Sequence, residues 1–221
     1  MKLNLRRRDI VLIGGFWLIG CALLGTVLYF AVWQEQPPLE VGNVLRPQAT
    51  FTVVYNEVTA HNSQAQALEY AQSRWQADAQ LMAVTSTWSQ TELHAVGEPT
   101  SWTYRYYSPS TKRMFFVTIT PDGNAIGTLH TERPFVTPPF ISAENWQVDS
   151  PEAISAWLNF GGSTMIAAMP GIQVVAQLQV KEADSPPTWI VAGFDRATQN
   201  YLSVSIDANS REVLTMNTSL K

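Results

Sequence analysis

The stretch "SWTYRYYSPSTKRMFFVTITPDGNAIGTLH", residues 101–130, decides how this chain folds. It breaks into three short runs rich in aromatic and β-branched residues, separated by "PSTK" and "PDGN". Such runs fit a pleated, half-buried surface, and Pro, Asp, Gly and Asn are the residues that tight turns need. The reading is three antiparallel strands. In the first run Trp102, Tyr104 and Tyr106 alternate with Thr103, Arg105 and Tyr107, so the two sets lie on opposite faces. The set with the tryptophan is expected to face the core. Thr103, Arg105 and Tyr107 form the candidate partner-binding surface.

Upstream, "TFTVVYNEV" at 50–58 reads as another strand. Asn62 or Ser63 then caps a helix over 65–84, with Leu68, Ala71, Trp75 and Met82 on one face. Downstream the pattern repeats. "DSPEAISAWLNF" opens with Ser150 as the cap and Pro151 at the first helical position. Gly161 and Gly162 interrupt this helix, and strands follow in "IQVVAQLQV", "TWIVAGF", "YLSVSID" and "EVLTM". A shift of 87 residues, without a gap, places Ser63 on Ser150, Tyr70 on Trp157, Met82 on Met169 and Trp102 on Trp189. It also places Val117 on Val204 and Ile119 on Ile206. The expectation is two α+β units, 50–130 and 142–221, joined by a Pro-containing linker at 131–141. Trp102 and Trp189 should be equivalent and buried.

The second unit closes on "YLSVSIDANSREVL". Asp207-Ala208 followed by Glu212-Val213-Leu214 resembles the terminal turn and strand of a PepSY module, with Ser210 at the place of that family's usual glycine. Gly123 takes that place in the looser first copy, "TITPDGNAIGTL". The resemblance implies an extracytoplasmic, non-enzymatic module of a kind implicated in inhibiting peptidases or in regulating or assembling membrane proteins.

The N-terminal segment is of a different kind. From Ile10 to Trp33 there are 24 residues without a formal charge. As a helix they would span about 36 Å, enough for a bilayer core. Lys2, Arg6, Arg7 and Arg8 precede the run and Glu35 and Glu40 follow it, which places residues 1–9 in the cytoplasm and the bulk of the chain outside the cell membrane. Leu18-Ile19-Gly20-Cys21 looks like a lipobox, and the alternative is a lipoprotein cut before Cys21. A cut there would leave half a membrane helix on the mature end, so the reading adopted is one uncleaved spanning helix. Gly14, Gly15, Gly20 and Gly25 offer a smooth face for packing against another helix. Residues 34–49 carry a Pro-Pro step and read as a stiff linker.

Several function classes fall away on composition. Residues 34–221 hold ten basic and seventeen acidic residues, a formal −7, which disfavours nucleic-acid binding. Cys21 is the single cysteine, so the exported part cannot form an internal disulfide. His61, His94 and His130 are scattered and lack metal-ligand spacing, so no metal is expected. "NFGGST" lacks the lysine of a phosphate loop, there is no GxSxG elbow, and no cofactor or small-molecule substrate is indicated. Asp122 and Asp207 sit in turns. A hydrolase reading would have to use carboxylates such as Asp149, Glu152 and Asp207, with no positioned partner evident in the sequence. The expected function is therefore a non-enzymatic, membrane-anchored binding or assembly protein, an accessory subunit for a membrane-protein partner. The alternative within the binding class is a regulator or inhibitor of an extracytoplasmic peptidase.

Overall fold

A computed structural model describes residues 58–89, 96, 100–131, 133–169 and 171–219. The expected spanning helix at 10–33, its glycine face, Cys21, the linker at 34–49 and nearly all of the strand at 50–58 lie outside the described residues. Among the described residues no helix is long and apolar enough to cross a membrane.

The described residues are α+β, with eight strands in one antiparallel sheet. Helix α1 covers Gln64–Arg74 and is followed by β1 (Gln80–Trp88), β2 (Trp102–Ser108), β3 (Arg113–Ile119) and β4 (Ala125–His130). A 3-10 turn at Ala143–Asn145 leads to α2 (Ser150–Trp157), a π turn at Leu158–Gly162 and α3 (Ser163–Ala168). Strands β5 (Ile172–Gln179), β6 (Thr188–Asp195), β7 (Tyr201–Asp207) and β8 (Val213–Thr218) complete the chain. The strand order is β4-β3-β2-β1-β5-β6-β7-β8. Each half is a four-stranded meander, and the halves meet where β1 pairs antiparallel with β5.

The first helix is shorter than its sequence suggests. It stops at Arg74, and Met82, expected on its apolar face, lies on β1 instead. Leu81, Val84, Ser86 and Trp88 point into the core; a bulge between Leu81 and Ala83 puts Leu81 on the same face as Val84, and Ala83 is buried on the opposite face. Burial on both sides of a central strand overrides the helical spacing of an Ala- and Gln-rich stretch. The turn before β1 is pinned by Asp78, whose carboxylate accepts from the Ser108 hydroxyl (2.7 Å) and the Ser110 amide (2.8 Å).

The cap of α2 also differs from the expected one. Asp149, not Ser150, is the N-cap, and Glu152 closes a capping box by accepting from the Asp149 amide at 3.2 Å. Asp149 reaches into the first half too, accepting from the His61 amide at 2.9 Å, while the Ser150 hydroxyl accepts from the Ala60 amide at 3.1 Å. Asp149→Ala removes a cap and a cross-half bond together. It should lower unfolding free energy by about 1–2 kcal/mol, read by urea melts at unchanged m-value.

The 87-residue offset holds for part of each half and fails for the rest. Trp102 faces Ile119 and Trp189 faces Ile206; Tyr106 faces Phe115 and Gly193 faces Leu202. The first strands are out of step. Val84 faces Tyr104, whereas the partner of Val191 is Ala176, an offset of 92. The second half inserts the π turn and α3 ahead of its first strand, with Gly161 at φ 116, and its first two strands are separated by residues 180–187, a shorter stretch than 89–101 in the first half. The gapless pairing of Met82 with Met169 is thus overturned, since Met169 ends α3. The glycine-like place in the last turn also moves: the left-handed residue is Arg211 (φ 68), not Ser210.

Helices α1 and α2 lie on one face of the sheet. Directly opposed residues share a face, and the chain of partners Phe115–Tyr106, Tyr104–Val84, Val84–Leu178 and Leu178–Trp189 connects the two halves. Phe115 packs near Tyr70 of α1 at the Gly127 position, and Gly193 lies under Trp157 of α2. The core between helices and sheet is aromatic. Trp88, Trp102, Trp189 and Trp146 form a row of edge-to-face contacts with ring centroids 6.2, 5.9 and 6.1 Å apart. Trp102 and Trp189 are both buried, as expected. The indoles of Trp146 and Trp189 donate to the same acceptor, the Val148 carbonyl, at 2.7 and 2.8 Å.

Candidate functional site

The face opposite the helices is the candidate site. A row of directly opposed residues crosses it: Thr118, Thr103, Thr85, Gln177, Ile190 and Ser205, contributed by β3, β2, β1, β5, β6 and β7. A second row runs from Thr128 through Phe116 and Arg105 to Ala83 and Gln179. Hydroxyl and amide side chains dominate these rows, and Arg105 is their single charge. Thr103 bonds Thr118 at 3.0 Å, Arg105 donates to the Thr85 hydroxyl at 3.4 Å, and its guanidinium lies over the Phe116 ring at 5.9 Å. Stacking of this kind holds the fork in place without neutralising it. Among the described residues Arg105 has no carboxylate partner.

Of the three residues singled out from sequence, Thr103 and Arg105 lie half-buried on this face. Tyr107 does not add exposed surface. It is 3% exposed, covered by Phe140, whose ring stacks on it at 6.1 Å. Sequence reasoning misses Thr85, Gln177 and Ile190, because the helix expected over 65–84 takes in the first part of β1 and leaves Thr85 unassigned, and because their proximity depends on the β1–β5 pairing.

The carboxylates of the hydrolase alternative are all engaged with backbone. Asp149 and Glu152 form the capping box, and Glu152 also meets Arg211 at 3.2 Å. Asp207 accepts from the amides of Asn209 and Ser210, both at 2.8 Å. Among the described residues no three His, Cys, Asp or Glu side chains cluster in a way that could hold a metal.

Three other aspartates are held below the usual carboxylate value. The cause is chiefly the Ser110 amide at Asp78, the Thr120 hydroxyl at Asp122 and the Thr198 hydroxyl at Asp195. A carboxyl with a lower folded than unfolded pKa adds stability above the unfolded value, here 3.8, and loses it as pH falls through the folded value. The melting temperature should therefore be flat above about pH 5 and drop below about pH 4. Asp195→Asn should make that drop shallower. An acid limb identical to the native one would refute this assignment.

The chain matches no protein-family model, no curated protein and no solved structure.

Proposed function

We propose that this chain is a non-enzymatic, membrane-anchored binding or assembly protein whose exported part receives a membrane-protein partner on the open face of its sheet. The observation that carries the reading is that face: rows of hydroxyl and amide side chains around an arginine with no carboxylate partner among the described residues. Polar side chains set at fixed strand spacings, with one stacked guanidinium among them, suit a partner that offers backbone carbonyls and a carboxylate. In this reading the two halves are copies of one PepSY-like unit, an assignment supported by the Asp207-Ala208 turn and by the matching β2–β3 and β6–β7 registers. Residues 10–33 hold the domain at the outer surface of the cell membrane, where tethering raises the effective concentration of a partner in the same membrane. Regulation of an extracytoplasmic peptidase is the second reading, supported by the same resemblance.

The test is copurification of the full chain from mildly solubilised membranes, followed by mass spectrometry, for the native sequence and for Arg105→Glu. A partner retained by the native chain and reduced about tenfold by the charge reversal, a cost of about 1.4 kcal/mol, supports the open face. A partner retained equally by both places recognition elsewhere. Replacing residues 10–33 with an unrelated spanning helix then asks whether it resides in the membrane. Substrate turnover that is lost on Asp207→Ala would sink the binding reading in favour of a hydrolase.

A further inference from the structure

We propose that the β4 edge of the sheet is a self-association surface, where a second copy of this chain adds its own β4 antiparallel about a two-fold axis through Gly127. Strand β4 pairs only with β3, so its outer side is a free edge among the described residues. Proteins usually guard such an edge with Lys, Pro, a bulge or a covering loop. The six residues of β4, "AIGTLH", contain no Lys, Arg, Asp, Glu or Pro, and its ladder with β3 runs without a bulge. Two large apolar side chains stand exposed on it, Ile126 at 55% and Leu129 at 46%. The other edge, β8, is better guarded, because its ladder is bulged between Ser205 and Ile206.

The register follows from the hairpin. Thr120 donates its amide to the Asn124 carbonyl at 2.9 Å, so this pair is a hydrogen-bonded one. Antiparallel pairs alternate between bonded and non-bonded types. Ile126, Thr128 and His130 therefore bond β3, and the amides and carbonyls of Ala125, Gly127 and Leu129 point outward. A two-fold that keeps both helix layers on one side of a joined sheet must pair residues of the same face. Gly127 then meets Gly127 of the second copy, and Ala125 meets Leu129, all through outward-pointing groups. Ile126 falls opposite Thr128 at a non-bonded position.

Three features favour a second copy over a foreign strand. No like charges oppose one another in this register, because the strand carries no carboxylate, lysine or arginine. The axis passes through a residue that must be glycine for internal reasons: a Cβ there would lie 2.4 Å from Phe115 Cζ and 2.7 Å from Tyr70 Cε1. The chain already uses this form of junction, since β1 and β5 join its two halves by antiparallel pairing.

The test uses the full chain in detergent with Cys21→Ser as background. One sample carries Ile126→Cys, another Thr128→Cys, and a third mixes the two during expression. Non-bonded antiparallel partners have Cα atoms about 4.5 Å apart, within disulfide range. Mild oxidation should cross-link the mixed sample into a dimer and leave each single variant monomeric on a denaturing gel. Ala125→Pro removes an outward amide that β3 does not use. Added to both chains, it should abolish the cross-link while leaving the melting temperature at the value of the native chain diluted until it is monomeric. Equal cross-linking in mixed and unmixed samples, or cross-linking that survives Ala125→Pro, overturns the register. A single-chain mass for the native protein in sedimentation overturns self-association. A foreign protein cross-linked at Ile126→Cys, with no chain–chain product, overturns the choice of a second copy.

Discussion

Trp189→Ala is expected to lower the unfolding free energy by about 3–5 kcal/mol, the cost of removing a large aromatic side chain from a core that cannot collapse to refill the space. Trp189 is fully buried and sits between Trp102 and Trp146, touching both edge to face. Its neighbours are held from several sides. Trp146 is fixed by its bond to Val148, and Trp102 also meets Trp88. Truncation would leave a void bordered by rings that have little freedom to move. The Val148 carbonyl would keep one donor, Trp146, so the loss is one of packing more than of an orphaned acceptor. A marginally stable domain loses much of its folded population on that scale. Urea denaturation followed by tryptophan fluorescence reads the effect, and a loss under 1 kcal/mol would show that the row is not a shared core.

The second expected result concerns a glycine. Gly193→Ala should cost about 1–3 kcal/mol, the usual range for overpacking. A methyl at Gly193 would stand 2.6 Å from Trp157 Cζ2 and from Ile172 Cδ1, and 3.2 Å from Met165 Sδ. Trp157 cannot easily withdraw, because its indole donates to the Leu202 carbonyl at 3.0 Å. The ring of α2 therefore rests on bare backbone of β6. A smaller residue above it should relieve the strain, so adding Trp157→Phe to Gly193→Ala should recover part of the loss. Strict additivity in that double-mutant cycle would mean that the two positions do not touch.

The sequence made some of this architecture readable and hid the rest for identifiable reasons. Strands β2 to β8 announce themselves by alternation and by turns such as "PDGN", and α2 by Pro151 and its apolar face. Strand β1 does not. Its opening residues continue the helical spacing of Leu68, Ala71 and Trp75, and only its place between β2 and β5 explains why it is extended. Missing β1 also hid how the halves join, because β1 and β5 are the strands that do so. The candidate site was half legible: alternation put Thr103 and Arg105 on the face away from the tryptophans. That Tyr107 is covered depends on Phe140, which comes from the connection between the halves. Gln177 and Ile190 enter the site only through a pairing between residues far apart in the sequence.

The β1–β5 junction also sets an order of events in time. Every other ladder in the sheet joins consecutive strands, so each can close soon after its second strand has been made. Strand β1 gains β2 early, but its other side must wait for β5. At usual ribosomal speeds the roughly 90 residues between Trp88 and Gln179 take about 5–20 s to synthesise. During that interval the apolar strand "QLMAVTSTW" is a growing chain's exposed edge, the kind of template on which neighbouring nascent chains mispair. Slow delivery of the second half, by rare codons or a stalled export step, should therefore harm yield more than equal delay after Gln179, even though the mature protein is the same in both cases.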